Sequence, residues 1–550
     1  MTRAPDEART SDMDPTRFLR RILHRDDPEG VLRTALSGRD AAGDLTYAEL
    51  ARAAAGVART MAADGVRPGD RVALMAPYGP GWVATLLGVL SCGAVAVPLS
   101  PDLAAGETAA LLKDADPALV VGDEQRARTA LEMAGLDARA QPLAVAPPYP
   151  QHAWPATPRR PDDPVMIVYT SGATGAPKGV VVSWANLVYQ VTVASERMRA
   201  STEPVLVSIL PAHHLLELTA GVLGPLYLGG RVHYPGSMLP RDILSAVAAQ
   251  RASELVVVPL FLTALRRRFE RELARASRFE RGYLRASRRV AASLPFRLRR
   301  LVLAPLHARL GGRLKRFYVG GAPLDAKLAE YFRGLGFHVC QGYGLSEASP
   351  MVSCNAPGQS RLGSVGRPLP GTKTRIGADG EILVRGPGVM GGYWRAPQLT
   401  AEAIDDQGWL RTGDLGFLDR DGYLFVTGRA KNLIVLAGGE NVQPEEVETA
   451  VRRSELVGDV CVLGRPRPRG EEVVAVVTAS AAARERLAAV DLERALVAEV
   501  RRFSADLAPY KRPSQIVVHD QDLPQTSTRK VRRADVQELV GFQERVHAHG

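Results

Sequence analysis

Cysteine is scarce in this chain of 550 residues: Cys92, Cys340, Cys354 and Cys461 show neither close pairing nor metal-ligand spacing. A disulfide framework is excluded, and the four read as reduced thiols of a cytosolic protein. Aromatic residues are few, at 6%. Zinc-finger spacing and aromatic-rich binding motifs are missing, so nucleic acid is not an expected partner. The opening MTRAPDEARTSDMDPTRF lacks an apolar core, and no secretory signal is expected. Long unbroken hydrophobic runs are missing too. Met75 to Pro101 contains no charged residue, but Pro77, Gly79, Pro80, Gly81, Gly93 and Pro98 punctuate it. It reads as a short buried helix, Trp82 to Leu90, and a buried strand, Ala94 to Pro98, not as a membrane span.

What is present is ordinary globular composition, 46% hydrophobic and 23% charged, which excludes a disordered or collagen-like chain. The length fits three or four domains, or two large ones. Lys and Arg outnumber Asp and Glu by 70 to 59. Seventeen Lys or Arg and only three Glu lie between Arg266 and Arg316, so the rest of the chain is slightly acidic. In that segment Leu, Phe, Tyr and Val recur among the arginines at roughly helical spacing. Such a stretch suits an anionic membrane surface or an acidic carrier protein, or is simply a solvated helical face.

From residue 46 to 165 helical and strand-like segments alternate: Ala48 to Ala63, then DRVALMAP, GAVAVPL and ALVVGD with helices between them. VMIVYT, VLVSIL, ELVVVPL, RFYVGG and FHVCQGY continue the pattern after a Pro-rich connector. Regular alternation predicts layered α/β structure with parallel strands. After about Arg361 short strands between Gly and Asp turns (KTRIG, EILVRG, GYLFVTG) predict a β-rich subdomain. The tail has its own helix, Glu445 to Ser454, and the strands VCVLG, VVAVVTA and QIVVH, which predict a small separate α+β domain.

The strongest chemical signal follows VMIVYT: Thr170-Ser171-Gly172-Ala173-Thr174-Gly175-Ala176-Pro177-Lys178-Gly179. Glycines let a backbone curl its N–H groups around an anion, and hydroxyls and a lysine add donors and charge. The spacing is not that of a Walker A loop. The stretch resembles the phosphate loop YTSGTTGxPKG of the adenylate-forming superfamily. Further motifs follow in that family's order: VGGAPL (319–324), QGYGLSE (341–347), WLRTGD (409–414), GRAKNLIVLAGGENVQPEEVE (428–448) and PQTSTRK (524–530). The resemblance covers about residues 30 to 540.

It implies a large N-terminal adenylation domain (1–427), a hinge (428–432) and a small mobile C-terminal lid (433–550). It also implies ATP and Mg²⁺ as cofactors. Thr170, Ser171, Gly172, Ala173, Thr174, Gly175, Lys178, Gly321, Gln341, Gly342, Tyr343, Gly344, Ser346, Asp414 and Arg429 would bind the nucleotide. Tyr343 offers a ring for adenine, Asp414 an acceptor for ribose hydroxyls, and Arg429 a fork of donors. Glu347, with Thr170, would hold the metal. Lys530 would be the catalytic cation, and Lys431 the hinge about which Gly438-Gly439 come to line a pantetheine path. Ala173 and Ser346 stand where the family has Thr, Arg529 where it has Gly, and Asn432 where it has an acid. None removes a charged catalytic group.

LPAHHLLEL (210–218) resembles the LPLxHxxE stretch of long-chain acyl-CoA synthetases, with His214 at the gate to the acyl tunnel and Glu217 in register. The expected reaction joins a medium- or long-chain fatty acid to coenzyme A through an acyl-adenylate. A carrier-protein phosphopantetheine is the alternative acceptor, and a catalytically silent lipid- or nucleotide-binding homologue the alternative outside catalysis. The expected location is cytoplasmic, with peripheral contact at the inner membrane surface through residues 266–316 as a further option.

Overall fold

The structure, a computed structural model, describes residues 14–23, 34–38, 40, 42–143, 157, 159–170, 177–198, 203–275, 294–487, 489–525 and 531–541. These divide into two compact units, one of Met1–Arg375, Leu383–Arg411 and Arg420–Leu424, the other of Ile376–Ile382, Thr412–Asp419 and Phe425–Gly550.

The first unit holds two large sheets. One runs in the order Gly392–Tyr393, Lys178–Ser183, Pro164–Thr170, Val95–Pro98, Arg71–Met75, Leu119–Gly122, Arg139–Gln141. The other runs Arg367–Pro368, Met351–Cys354, His338–Gly344, Arg316–Val319, Glu254–Val257, Val205–Val207, Arg231–His233, Thr34–Ser37, Leu45–Thr46. Six strands of this second sheet, from His338–Gly344 to Thr34–Ser37, are mutually parallel, so their carboxyl ends share one edge. That is the edge at which open α/β sheets bind ligands.

The uncharged run is a helix, Pro80–Ser91, with every residue buried, followed by the strand Val95–Pro98. Burial on all sides, rather than a bilayer, explains its composition. Among the described residues no helix is long and apolar enough to cross a membrane. Its neighbour, Tyr47–Ala63, starts on a capping box in which Thr46 Oγ1 accepts from the Glu49 amide and Glu49 Oε2 from the Thr46 amide. The two helices meet at Gly88, where an added Cβ would lie 2.5 Å from Val57 Cγ1 and 3.0 Å from the Ala54 carbonyl. Gly88→Val is therefore expected to destabilise the protein by about 1–3 kcal/mol through overpacking, read by thermal or denaturant unfolding.

The basic segment begins within the helix Pro259–Arg275, which buries Leu262 and Leu265 ahead of it. Arg266 and Arg268 pair with Glu270 and Glu272 one turn on, both at 2.8 Å. Half-exposed i,i+4 pairs of this kind support the helix by a few tenths of a kcal/mol each and offset part of its positive charge. Residues 276–293 of the segment lie outside the described residues.

The second unit has an antiparallel pair, Val457–Pro466 with Glu471–Ala479, and Gln515–His519 beside it in parallel. The helices Pro444–Val451 and Ala489–Ser504 pack on this sheet around a Val-rich core including Val447, Val462, Val477 and Val500.

Candidate active site

The strand Pro164–Thr170 buries Val165 to Val168 and turns back antiparallel onto Lys178–Ser183, with Thr170 opposite Lys178. Ser171, Gly172, Ala173, Thr174 and Gly175 lie outside the described residues, but the hairpin fixes both ends of their segment. The Lys178 ammonium sits over the ring of Tyr393, 5.2 Å from its centroid. The Tyr393 hydroxyl donates to Glu347 Oε1 at 2.9 Å. Burial, and then the Glu347 charge and the hydrogen bond to it, hold the phenol well above its ordinary range, so it remains a donor. One ring thus joins the expected phosphate lysine to the expected metal carboxylate. The Thr170 hydroxyl lies 3.5 Å from the Lys178 carbonyl, too far to commit it.

Tyr393 was not among the residues the motifs singled out. Its sequence signal is the run Gly391-Gly392-Tyr393-Trp394, in which Gly392 and Tyr393 pair with Val181 and Val180.

Gln341, Gly342, Tyr343 and Gly344 end the strand His338–Gly344. Gln341 stands opposite Val319 in parallel register, which brings it beside the loop carrying Gly321. Gly321 has φ +80°, the left-handed region that glycine tolerates. Ser346 and Glu347 form a single 3₁₀ turn, Ser346–Ala348, directly after the strand.

His213 and His214 lie with ring centroids 4.1 Å apart. The Tyr78 hydroxyl and His213 Nδ1 are hydrogen-bonded, and Tyr78 meets Trp82 edge-on at 5.6 Å. Burial, with His214 alongside, lowers His213 to about 3, and burial lowers His214 to about 4. Both imidazoles are neutral at physiological pH. Neither histidine is exposed, and His214 Nε2 is buried without a hydrogen-bond partner. Leu216 reaches the glycine loop: a Cβ on Gly320 would stand 2.9 Å from Leu216 Cδ2.

Glu217 opens a π-helical stretch, Glu217–Leu223, and is 1% exposed. Its Oε1 accepts from the Ser208 hydroxyl at 2.6 Å, and burial pushes its carboxyl from 4.5 up to about 8. Between those values the folded chain keeps a proton that the unfolded chain releases. Stability therefore falls as pH rises from about 4.5 to about 8. Glu217→Gln removes this dependence, so its unfolding midpoint should gain on the wild type across that interval. A constant offset between the two would contradict the raised carboxyl.

The remaining residues expected to bind the nucleotide belong to the second unit. Thr412, Gly413 and Asp414 lie on the strand Leu410–Leu418. The Gly413 amide donates to Glu381 Oε1 at 2.8 Å, and the Asp414 amide to Thr412 Oγ1 at 3.1 Å. Asp414 is 4% exposed, and Arg429 Nε donates to its Oδ1 at 2.8 Å. The acceptor expected for ribose and the donor fork expected for ribose or phosphate are thus an ion pair here. Lys431 lies in the turn Ala430–Asn432, and the Asn432 side-chain Nδ2 donates to Glu445 Oε1 at 2.7 Å. An acid at 432 would face that carboxylate, which accounts for Asn there. Lys530 lies outside the described residues; flanking them, Gln525 and Val531 form an antiparallel bridge.

The two sheets of the first unit thus bring Lys178 and Glu347 to the one ring of Tyr393. The AMP-binding enzyme family matches residues 29–394, and the AMP-binding enzyme C-terminal domain residues 446–530. The chain belongs to the AMP-binding enzyme family. It is 34% identical over 514 residues to a feruloyl-CoA synthase of an Amycolatopsis species, covering 90% of this chain and 94% of the relative. It is 33% identical over 480 residues to the long-chain-fatty-acid–CoA ligase FadD15 of Mycobacterium bovis, covering 81% and 79%. ATP-bound MatB from Rhodopseudomonas palustris has the same fold, with a TM-score of 0.76, 28% identity and coverage of 96% and 99%.

Proposed function

We propose that this protein is an AMP-forming acid–thiol ligase. ATP and a carboxylic acid give an acyl-adenylate and pyrophosphate; the thiol of coenzyme A then takes the acyl group, and AMP leaves. The observation that carries this reading is the Lys178–Tyr393–Glu347 group beside the ends of the glycine-rich hairpin loop. It offers a cation for phosphate and a carboxylate already oriented by a donor. Mg²⁺ suits that carboxylate because it binds through one or two protein carboxylates and the substrate's phosphates. Glu347, with Thr170, would hold it, and the ion would supply charge neutralisation on the phosphates. Asp414 and Arg429 are assigned to the ribose, and Lys431 to a hinge at 428–432 between an adenylation domain (1–427) and a lid (433–550). The proposed location is the cytoplasm, in keeping with four free, buried cysteines.

The acid is proposed to be a monocarboxylate with an apolar body. A medium- or long-chain fatty acid is the first reading, from the LPAHHLLEL stretch and the relative named for long-chain fatty acids. An aryl acid is the second, favoured by the aromatic group of Tyr78, Trp82 and His213 and by the relative named for ferulate. Two neutral imidazoles offer no cation to a second carboxylate.

Pyrophosphate release measured across fatty, aryl and dicarboxylic acids tests this, with coenzyme A, with a phosphopantetheinylated carrier protein, and with neither. Release that depends on an acid, with thiol consumed and AMP formed, is expected. ATP turnover independent of any acid, or ending in ADP, would overturn the proposal.

A further inference from the structure

One buried cluster at the carboxyl edge of the parallel strands has no role in the account above. Ser208 follows the strand Val205–Val207, and Tyr234 follows its neighbour Arg231–His233. Between them comes Glu217, whose carboxyl lies over Gly221: a Cβ added there would stand 2.5 Å from the Glu217 carboxyl carbon. Glu217 Oε1 takes the Ser208 hydroxyl, but Oε2 has no hydrogen-bond partner. The Tyr234 hydroxyl also has no partner within hydrogen-bond distance, although the residue is 5% exposed and has the Ser208 hydroxyl, Glu217 and Asp40 as polar neighbours. A buried polar group without a partner carries a desolvation penalty that nothing offsets. Two such groups in one buried cluster could both be satisfied by a third group. The residue before Glu217 is Leu216, whose side chain lies against Gly320 in the loop that carries Gly321.

We infer that Ser208, Glu217 and Tyr234 form a recognition subsite for a hydroxyl on the body of the acid, making hydroxy or phenolic acids the preferred substrate class. The inference rests on the ligase reading. Burial keeps Glu217 largely protonated near neutral pH, so it presents an O–H rather than a charge. The Tyr234 phenol is likewise held protonated by burial. A substrate hydroxyl would accept from one of these groups and donate to the other. Sites built this way discriminate strongly against an analogue lacking the hydroxyl, because their own polar groups are then left unpaired.

The test compares kcat/KM for pyrophosphate release on matched acids differing by one hydroxyl: 4-hydroxycinnamate against cinnamate, and 10-hydroxydecanoate against decanoate. In the wild type the hydroxylated member of at least one pair should be favoured about tenfold or more. The pair that responds tells a phenolic from an aliphatic source. Tyr234→Phe and Glu217→Gln should bring that ratio towards one; the ratio, unlike the absolute rate, is insensitive to a general loss of folded enzyme. Acids activated with ratios near one in the wild type would overturn the inference and leave the ligase reading standing. A ratio unchanged in Tyr234→Phe would also overturn it, and should that variant not fold, the wild-type ratio decides. No pyrophosphate with any acid removes the ligase reading, and this inference with it.

Discussion

Lys530→Ala should lower adenylation by about two to three decades in kcat while ATP binding persists. Attack of a carboxylate on the α-phosphate brings two anions together and builds charge on the phosphate oxygens. A preorganised cation acts on charge that exists only in the transition state, and losing one such contact costs about 10²–10³ in rate. ATP–pyrophosphate exchange gives the rate, and calorimetric titration with ATP gives the binding. The described chain on either side of residues 526–530 is anchored, by the Gln525–Val531 bridge and by the Arg532 amide donating to the Pro524 carbonyl at 2.8 Å. Unchanged exchange in the variant would remove Lys530 from the chemistry.

Glu347→Gln should shift the Mg²⁺ requirement upward by about tenfold, since losing a charge–charge contact of about 1.4 kcal/mol is a factor of ten. The amide keeps the shape and can still accept the Tyr393 hydroxyl, so folding should survive. Activity measured against total Mg²⁺ separates the two effects: a metal role predicts recovery at high Mg²⁺, and a structural role predicts none. Tyr393→Phe is the companion variant. It keeps the ring under Lys178 and removes only the donor to Glu347, so its shift should be smaller. Wild-type activity of Glu347→Gln at low Mg²⁺ would show that Glu347 is not a metal ligand.

Periodicity made the α/β layering readable because buried strands such as Val95–Pro98 and Leu119–Gly122 are continuous apolar runs between turn residues. The sequence predicts the buried helix over Trp82 to Leu90, and it runs Pro80–Ser91, since proline at a first turn starts a helix rather than blocking it. Short edge strands, Leu45–Thr46 and Arg367–Pro368, are two residues each and leave no periodic trace. Motif spacing found Lys178 and Glu347, but not the ring between them, because Tyr393 is brought there by strand pairing at long range. Glu217 could be read only as an acid in a motif. That it is buried with one oxygen unpaired follows from the π-helical path and Gly221, which no local pattern announces. The Asp414–Arg429 pair is similarly invisible, joining residues on two different strands.

The central claim is that an acid is activated as its adenylate, and the fate of the carboxylate oxygen tests it most directly. A carboxylic acid labelled with ¹⁸O in both oxygens is turned over with ATP, Mg²⁺ and coenzyme A, and AMP, pyrophosphate and any ADP are examined by mass spectrometry. The carboxylate oxygen that bonds to the α-phosphorus stays with AMP when the thiol displaces it from the acyl carbon. One ¹⁸O per AMP, with none in pyrophosphate, is the predicted result. Unlabelled AMP, or label passing to phosphate with formation of ADP, would contradict it.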